Sequence, residues 1–275
     1  MSTERDVAQH YTHGSLERTI LDALAASGKD VERLAPADLA PVDEFHIGGR
    51  QATIEFAGQL GLRRGMRLLD IGSGIGGPAR YFAHEHGCDV TGIDLTEEYV
   101  RVAGALARRV GLSEGVSFRQ CSALSLPFDA NTFDGAYMLH VGMNISDKAA
   151  LCAEIRRVLK PGGAFGIYDV MRTNDGELKF PVPWAARPDT SFVADVATYR
   201  RLLQTAGFVI ERERERRAFA IDFFRQMRAR IAESGPPALG LHIVMGADFS
   251  LKIDNMLATI EAGVIAPTEL IARAA

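Results

Sequence analysis

The sequence has few cysteines and no long apolar run, and each absence excludes a class of protein. Its three cysteines, Cys88, Cys121 and Cys152, lie far apart and form neither a CxxC pair nor a Cys/His cluster. This usage predicts neither a disulfide framework nor a metal site. No stretch approaches the roughly 18 consecutive apolar residues of a membrane span, and the charged N-terminus shows no signal peptide. We therefore expect a soluble, cytoplasmic protein that holds no metal.

A strong charge of one sign is also lacking. The 275 residues carry 31 Lys and Arg against 35 Asp and Glu, a net charge of −4. This near balance gives no broad basic field, so binding to nucleic acid or to an anionic membrane is disfavoured. We expect a small molecule as the partner. The apolar segments 219–227 and 239–249 suit a lid and a dimer contact equally well, which leaves both a monomer and a homodimer open.

Most of the chain alternates between predicted strands and helices. Short apolar strands are predicted at 66–71, 89–95, 116–123, 133–139 and 163–170. Alternation of strands with helices predicts a parallel sheet that helices cover on both faces. Near the C-terminus we predict a charged, solvated edge strand at 209–216, a helical insertion at 219–263 and a final strand at 268–275.

The first 60 residues precede this alternation. Apolar residues at helical spacing predict a helix over 15–28, and a second helix is predicted over 50–60. The segment 35–49 between them is rich in proline and aspartate, so we predict a loop there.

A glycine-rich segment, DIGSGIGG, runs from Asp70 to Gly77 between a predicted strand and a predicted helix. Glycines at such a junction permit a tight turn and let backbone N–H groups approach a ligand. Gly72, Gly74 and Gly77 also satisfy the GxGxxG pattern of dinucleotide-binding enzymes, which is a weak signal by itself. The loop therefore indicates a nucleotide cofactor, and the neighbouring residues decide its class.

Two carboxylates flank the loop. Asp70 stands two positions before the first glycine, where its charge would repel a pyrophosphate and attract an ammonium or sulfonium group. The alternative is a structural role, in which Asp70 caps the helix or pairs with a basic neighbour. Asp94 ends the next predicted strand, where a carboxylate can accept hydrogen bonds from ribose hydroxyls of either cofactor class. Together with the downstream sequence, the pattern favours S-adenosylmethionine over a nicotinamide dinucleotide.

Several segments together resemble one group of class I S-adenosylmethionine-dependent methyltransferases, bacterial enzymes similar to sarcosine/dimethylglycine and phosphoethanolamine methyltransferases. The segments are HIGG at 46–49, LLDIGSGIGGPARYFA at 68–83, GIDLTEEYV at 92–100, HVGMNISDKAAL at 140–151 and FPVPWA at 180–185. The resemblance implies an α/β, Rossmann-like fold with a mostly parallel seven-stranded sheet and helices on both faces. It also implies an N-terminal helical lid, residues 1–49, and a methyltransferase domain, residues 50–275, with the helical insertion before its last strand.

The same resemblance implies a set of cofactor contacts. They come from Asp70, Gly72, Ser73, Gly74, Asp94, Leu95, Ser122, Ala123 and His140. In this assignment Asp70 lies near the amino group of the cofactor, Asp94 holds its ribose and Leu95 packs against its adenine. Many relatives carry Asp in a Gly-Asp-Ala triplet after the third strand, where this chain has Cys121-Ser122-Ala123. Because a hydroxyl accepts a hydrogen bond more weakly than a carboxylate, we expect reduced affinity there.

Three residues are candidates for a catalytic role, namely His140, His46 and Tyr11. His140 ends the fourth predicted strand, and strand ends in such sheets face the ligand crevice. His46 and Tyr11 belong to the N-terminal segment, which folds over the cofactor in the resembled group. The alternative to a catalytic role is packing within the lid for Tyr11, and shaping of the turn into Gly48-Gly49 for His46. A general base matters for a hydroxyl or carbon acceptor more than for a neutral amine.

Tyr168 and Trp184 are candidates for substrate contacts. The indole of Trp184, the only tryptophan, could attract a methylated ammonium group, and a packing role is the alternative. We therefore expect S-adenosylmethionine-dependent methyl transfer to a small molecule, with nitrogen of a small amine or amino acid favoured over oxygen or carbon. An NAD-dependent oxidoreductase and a non-catalytic S-adenosylmethionine-binding protein are the alternative functions.

Overall fold

A seven-stranded sheet forms the centre of the computed structural model, which describes residues 2–275. The strands are β1 (Arg67–Ile71), β2 (Asp89–Asp94), β3 (Val116–Gln120), β4 (Phe133–Leu139), β5 (Leu159–Arg172), β6 (Phe208–Glu215) and β7 (Ile265–Ala274). Their order is β3-β2-β1-β4-β5-β7-β6, and β7 runs antiparallel to both of its neighbours. The predicted mostly parallel sheet of seven strands is confirmed.

Helices cover both faces of the sheet. In the sequence they lie before β1 and between most pairs of consecutive strands. Within residues 2–275 they are α1 (Ser2–His10), α2 (Leu16–Ala26), α3 (Pro36–Asp43), α4 (Gly49–Ala57), α5 (Gly77–His86), α6 (Glu97–Arg109), α7 (Lys148–Val158), α8 (Val196–Thr205), α9 (Arg217–Ser234), α10 (His242–Met245) and α11 (Phe249–Glu261). Helices α9, α10 and α11 lie between β6 and β7, so the predicted helical insertion before the last strand is present. Its first helix ends before the Gly-Pro-Pro segment at 235–237, as the sequence indicates.

The charged strand β6 lies at the sheet edge, as its alternating charges predict. The sequence predicts that the charged side chains of 209–216 contact only solvent, and this expectation is wrong for two of them. Glu269 of β7, the strand next to β6, is buried, and the guanidinium groups of Arg214 and Arg216 donate to its carboxylate at 2.9 and 3.0 Å. A buried carboxylate requires such partners, so part of the charge at 209–216 serves the interior of the sheet.

Helix α3 forms where the sequence predicts a loop. Pro36 stands in its first turn, where a missing N–H leaves no hydrogen bond unmade. The Asp38 carboxylate accepts the N–H of Ala35 at 2.8 Å, which satisfies a free donor at the helix start. At the other end, buried Asp43 pairs with buried Arg80 of α5 at 2.8 Å. The proline and aspartates that suggested a loop therefore mark the ends of a short helix.

The N-terminal helices are attached beside the carboxyl end of β2. Glu98, in the first turn of α6, accepts hydrogen bonds from the backbone N–H groups of His13, Gly14 and Leu16 at 2.5, 2.7 and 3.0 Å. Apolar residues of α2 and α3 pack with α6 below this contact. The division of the chain at residue 49 into a lid and a domain remains a proposal, and residue 1 lies outside the described residues.

The strand order places a crevice at one edge of the sheet. The chain direction across the sheet reverses between β1 and β4, which are neighbours but not consecutive in sequence. Connections that leave two such strands in opposite directions open a crevice at their carboxyl ends, where ligands bind in open α/β sheets. The glycine loop follows β1 at this point.

Candidate functional site

The turn after β1 uses a backbone conformation that favours glycine. Gly72, Gly74 and Gly76 have φ angles of +67°, +52° and +83°, a left-handed region that strains residues with a Cβ. A Cβ on Gly72 would lie 2.5 Å from a methyl group of Val141, whereas no atom lies within 4 Å of the same position on Gly74. The loop therefore packs closely against the segment after β4 and leaves open space at Gly74.

Asp70 brings a buried carboxylate to this space, and no basic side chain within residues 2–275 forms an ion pair with it. The residue is 2% exposed, and the buried hydroxyl of Tyr137 is the neighbouring group that favours its ionised form. Burial raises the pKa of Asp70 to about 8, because a carboxylate in a dry site is costly without a cation or donors. Asp70 neither caps a helix nor forms an ion pair within the described chain, so the structural alternative for this residue has no support. A cationic group on a ligand would satisfy this carboxylate.

Asp94 joins the end of β2 to the glycine loop. Its two carboxylate oxygens accept the N–H groups of Gly74 and Thr96, each at 2.9 Å. Burial raises the pKa of Asp94 above its ordinary value. Because both oxygens are fixed by backbone donors and face the cavity, their remaining lone pairs are positioned to accept hydroxyl groups of a ligand.

A cavity of about 170 Å³ connects these groups. It extends from the glycine loop toward the insertion helices α9, α10 and α11. Eleven sequence-predicted site residues line it: Tyr11, His46, Asp70, Gly72, Ser73, Gly74, Asp94, Leu95, Ala123, His140 and Trp184. Residues from seven separate parts of the sequence are thus brought to one place, whereas two predicted residues, Ser122 and Tyr168, are not part of the lining.

Tyr168 and Ser122 lie behind the cavity wall. Tyr168 is fully buried and its hydroxyl donates to the carbonyl of Ile47 at 3.0 Å, so it supports the turn that carries His46. The hydroxyl of Ser122 donates to the Glu4 carboxylate at 2.5 Å and accepts the N–H of Leu124 at 3.0 Å. Both hydroxyls thus have protein partners, and the contacts of these two side chains with substrate and adenine stay predictions.

His140 stands at the end of β4 with a φ of +55°, which turns its ring into the cavity. Its Nδ1 lies 3.1 Å from the carbonyl oxygen of Tyr168, and its Nε2 lies 3.4 Å from the N–H of Ile47. Burial lowers the pKa of His140 to about 4, so the ring is neutral near pH 7. The carbonyl holds the proton on Nδ1 and leaves the lone pair on Nε2.

His46 and Tyr11 differ in how freely their polar atoms face the cavity. The Nε2 of His46 lies 3.2 Å from the Gly49 carbonyl and 3.1 Å from the Thr53 hydroxyl, and burial lowers its pKa to about 3. These contacts favour a turn-shaping role. The hydroxyl of Tyr11 makes only a long contact of 3.4 Å, to the side-chain oxygen of Asn144, and burial raises its pKa above the ordinary range.

Trp184 combines the two roles that the sequence leaves open. It is 2% exposed, and its indole N–H donates to the hydroxyl of Ser191 at 2.9 Å. Its ring nevertheless forms part of the cavity wall. The side chain is thus anchored by the protein and presents an aromatic surface to the cavity.

Most of the far wall was not identified from the sequence. The insertion supplies Phe223, Phe224, Met227, Leu241, Val244, Met245, Ile253 and Met256 to the lining. None of these lining residues from 217–261 carries a charge. We call this part of the cavity the apolar chamber. The apolar pattern at 219–227 indicates that this segment packs against another surface, but it does not indicate against which one. Glu4 of α1 was also missed, because no helix is predicted over residues 2–10.

Two kinds of feature are absent from the described chain. No group of three or more His, Cys, Asp or Glu side chains within residues 2–275 could hold a metal ion. None of the helices in this range is both long and apolar enough to cross a membrane. The three cysteines form no disulfide, and Cys88 and Cys152 are buried.

Comparison with known proteins shows what the part of the chain around the glycine loop is similar to. Residues 69–167 match a family model described as a methyltransferase domain. A sterol 24-C-methyltransferase of Gibberella zeae is 40% identical over 118 residues, which are 43% of this chain and 31% of that protein. Phosphoethanolamine N-methyltransferase 1 of Triticum aestivum is 32% identical over 208 residues, 65% of this chain and 39% of that protein. The chain thus spans about a third of the length of these curated relatives.

Several solved structures resemble the chain over almost its full length, among them geranyl diphosphate C-methyltransferase from Streptomyces coelicolor A3(2), with a TM-score of 0.74 and 16% sequence identity over 100% of this chain and 99% of that one. The [4+2]-cyclase SpnF superposes with a TM-score of 0.70 and 26% sequence identity, covering 98% of this chain and 96% of that one. The predicted resemblance to class I methyltransferases is confirmed by the family match. In the sequence, the two carboxylates beside the loop favoured this class, whereas the glycine spacing alone did not distinguish it from a dinucleotide-binding enzyme.

Proposed function

We propose that this chain, whose residues 69–167 form a class I S-adenosylmethionine-dependent methyltransferase domain, transfers a methyl group to an apolar small molecule. The observation that carries the proposal is the apolar chamber, which opens directly from the cavity at the glycine loop. Small-molecule sites are typically apolar clefts with a few placed polar groups. Here those polar groups are concentrated at the cofactor end.

The residues at the cofactor end fit S-adenosylmethionine. The carboxylate of Asp70, which has no cationic partner within residues 2–275, fits an ammonium group, and the fixed carboxylate of Asp94 fits a pair of ribose hydroxyls. The open space at Gly74 allows close approach of a ligand to the backbone. When bound, this cofactor supplies an electrophilic methyl group on a sulfonium.

The chain aligns the acceptor with the cofactor, excludes water from the site and provides a group that accepts the proton of the acceptor. The cavity residues of α9, α10 and α11 exclude water from the side opposite the glycine loop, which strengthens electrostatic interactions within the site. His140 lines the cavity, and the lone pair on its Nε2 makes a long contact of 3.4 Å with the Ile47 N–H. We assign His140 as the group that accepts the proton of a hydroxyl or carbon acceptor, and Tyr11 with Asn144 as groups that orient the acceptor.

The acceptor class follows from the chamber and differs from the sequence-based preference for a small amine. A cationic ammonium would lose its hydration in the chamber, and the insertion helices offer it no carboxylate. Met227 and Met245 instead offer flexible apolar surface that suits an irregular hydrocarbon. We therefore favour oxygen or carbon of an apolar molecule. The aromatic surface of Trp184 is the feature that favours an amine acceptor, because an indole attracts an ammonium group.

Labelled methyl transfer tests the proposal. The chain is incubated with S-adenosyl-L-[methyl-³H]methionine and two acceptor panels, apolar alcohols, phenols and isoprenoids against small amines and amino acids. We expect label in the organic extract of the first panel, and label in the amine fraction alone would overturn the assignment of the acceptor.

Met227→Gln should lower kcat/KM for an apolar acceptor about tenfold, because an amide is costly to bury, with unchanged affinity for S-adenosylhomocysteine. Gln226→Ala, an exposed site on the same helix, is the matched control.

A second candidate function is ring closure of an apolar substrate without methyl transfer. It is favoured by the near-complete superposition on the [4+2]-cyclase SpnF together with the apolar chamber. Product formation that yields one S-adenosylhomocysteine per turnover supports methyl transfer. Turnover of an apolar substrate with no S-adenosylhomocysteine formed supports the second candidate.

A further inference from the structure

A carboxylate from the N-terminal helix lies at the end of the cavity opposite the acceptor. Glu4 of α1 lines the cavity, and its Oε1 accepts the hydroxyl of Ser122 at 2.5 Å. Ser122 follows β3, so this hydrogen bond joins the first helix of the chain to the end of the sheet. No other hydrogen bond or ion pair to this carboxylate is found within residues 2–275.

The residues next to Asp94 and Ser122 in the chain give the cavity lining a mainly apolar surface near Glu4. Leu95, Ala123 and Leu124 line the cavity together with Cys121 and Thr3. We call this part of the lining the slot. A planar apolar ring attached to a ribose at Asp94 would enter this slot. A carboxylate at the rim of an apolar slot accepts hydrogen bonds and donates none, so it selects a ring that carries an N–H donor.

We propose that Glu4 accepts the exocyclic amino group of adenine and that α1 thereby completes the cofactor site. The assignment rests on the proposed function, since it presupposes an adenosine cofactor. Ser122 is a positioning residue in this arrangement, because its hydroxyl holds one oxygen of Glu4 and leaves the other for the ligand. The chain thus supplies from its N-terminal helix the carboxylate that the segment 121–123 lacks.

The same helix also reaches the acceptor end of the cavity. Val7 and Tyr11 follow Glu4 at spacings of three and seven residues and line the cavity with it, as one face of a helix and the turn after it. The ring of His10 makes a hydrogen bond at 3.1 Å to the carbonyl of Pro183, next to Trp184. Binding of the adenine at Glu4 therefore holds α1, which also carries Val7 of the cavity lining, against the cofactor.

A pair of ligands that differ only at position 6 of the purine tests the assignment by calorimetry on the full chain. S-adenosylhomocysteine carries a 6-amino group, and its 6-deamino analogue carries hydrogen at the same position. We expect the wild type to bind the first at least tenfold more tightly, because the carboxylate accepts a hydrogen bond from the amino group alone. Glu4→Gln should narrow this ratio to within threefold, since a neutral amide oxygen accepts a hydrogen bond more weakly than a carboxylate. Asp6→Asn, an exposed change on the same helix, should leave the ratio unchanged.

The outcomes separate this assignment from the proposed function. If Glu4→Gln keeps the wild-type preference, or weakens both ligands by the same factor, Glu4 does not contact the base and the assignment is wrong while the proposed function stands. If the wild type binds neither nucleoside, the proposed function itself fails. Hydrogen exchange over residues 3–10 gives a second readout. It should slow on addition of S-adenosylhomocysteine to the wild type and slow much less in Glu4→Gln.

Discussion

The buried carboxylate of Asp70 predicts that cofactor affinity depends on pH. Burial raises the pKa of Asp70 to about 8 in the free protein, so near neutral pH the group is mostly protonated. Only the ionised form attracts the ammonium group of S-adenosylmethionine or S-adenosylhomocysteine. Binding must therefore be accompanied by release of a proton from Asp70, and affinity must increase as the pH rises toward the pKa.

The magnitude follows from the fraction ionised. A carboxyl group with a pKa of about 8 is about 1% ionised at pH 6 and about half ionised at pH 8. If only the ionised form binds well, the affinity for S-adenosylhomocysteine rises about 50-fold over this range. At pH 7 about 0.9 proton is released for each ligand bound.

Isothermal titration calorimetry in buffers of different ionisation enthalpy measures both the affinity and the proton release. Asp70→Asn is the matched variant, because it keeps the shape of the side chain and cannot titrate. It should bind more weakly than the wild type at pH 8, release no proton and show a flat pH profile. Equal affinity of the wild type at pH 6 and 8, or an identical profile in Asp70→Asn, would refute the assignment of Asp70 to the ammonium group.

Two further predictions concern the same cavity. Asp94→Ala should weaken S-adenosylhomocysteine binding at least about tenfold, because a charge-assisted hydrogen bond contributes about 1.5–3 kcal/mol; unchanged affinity in a calorimetric titration would contradict the ribose assignment. His140 has its pKa lowered to about 4, so the unfolded chain binds a proton that the folded chain does not between about pH 4 and 6.5. As the pH falls through this range, the free energy of unfolding of the wild type should decrease relative to that of His140→Gln by up to about 1.4 kcal/mol per pH unit. Parallel pH profiles in urea denaturation would show that the ring is not held neutral.

The sheet and the nucleotide end of the site were accessible from the sequence because both depend on local pattern. Alternating apolar segments predict the strands of a parallel sheet, and the glycine loop stands directly after one of them. Asp94 could be assigned for the same reason, since it ends the next strand, and neighbouring parallel strands end at the same sheet edge. The helix over 36–43 was missed because proline and aspartate favour both loops and helix starts.

The sequence by itself determined the class of fold, the cofactor class and the two carboxylates beside the loop. These depend on short-range spacing within about 25 residues. Only the tertiary structure decided which groups meet across long distances in the chain. It brings Glu4 to Ser122, places the insertion helices around the chamber and turns the hydroxyl of Tyr168 away from the cavity. The physical reason is that such contacts follow from the packing of whole helices against the sheet, for which a single sequence carries no periodic signal.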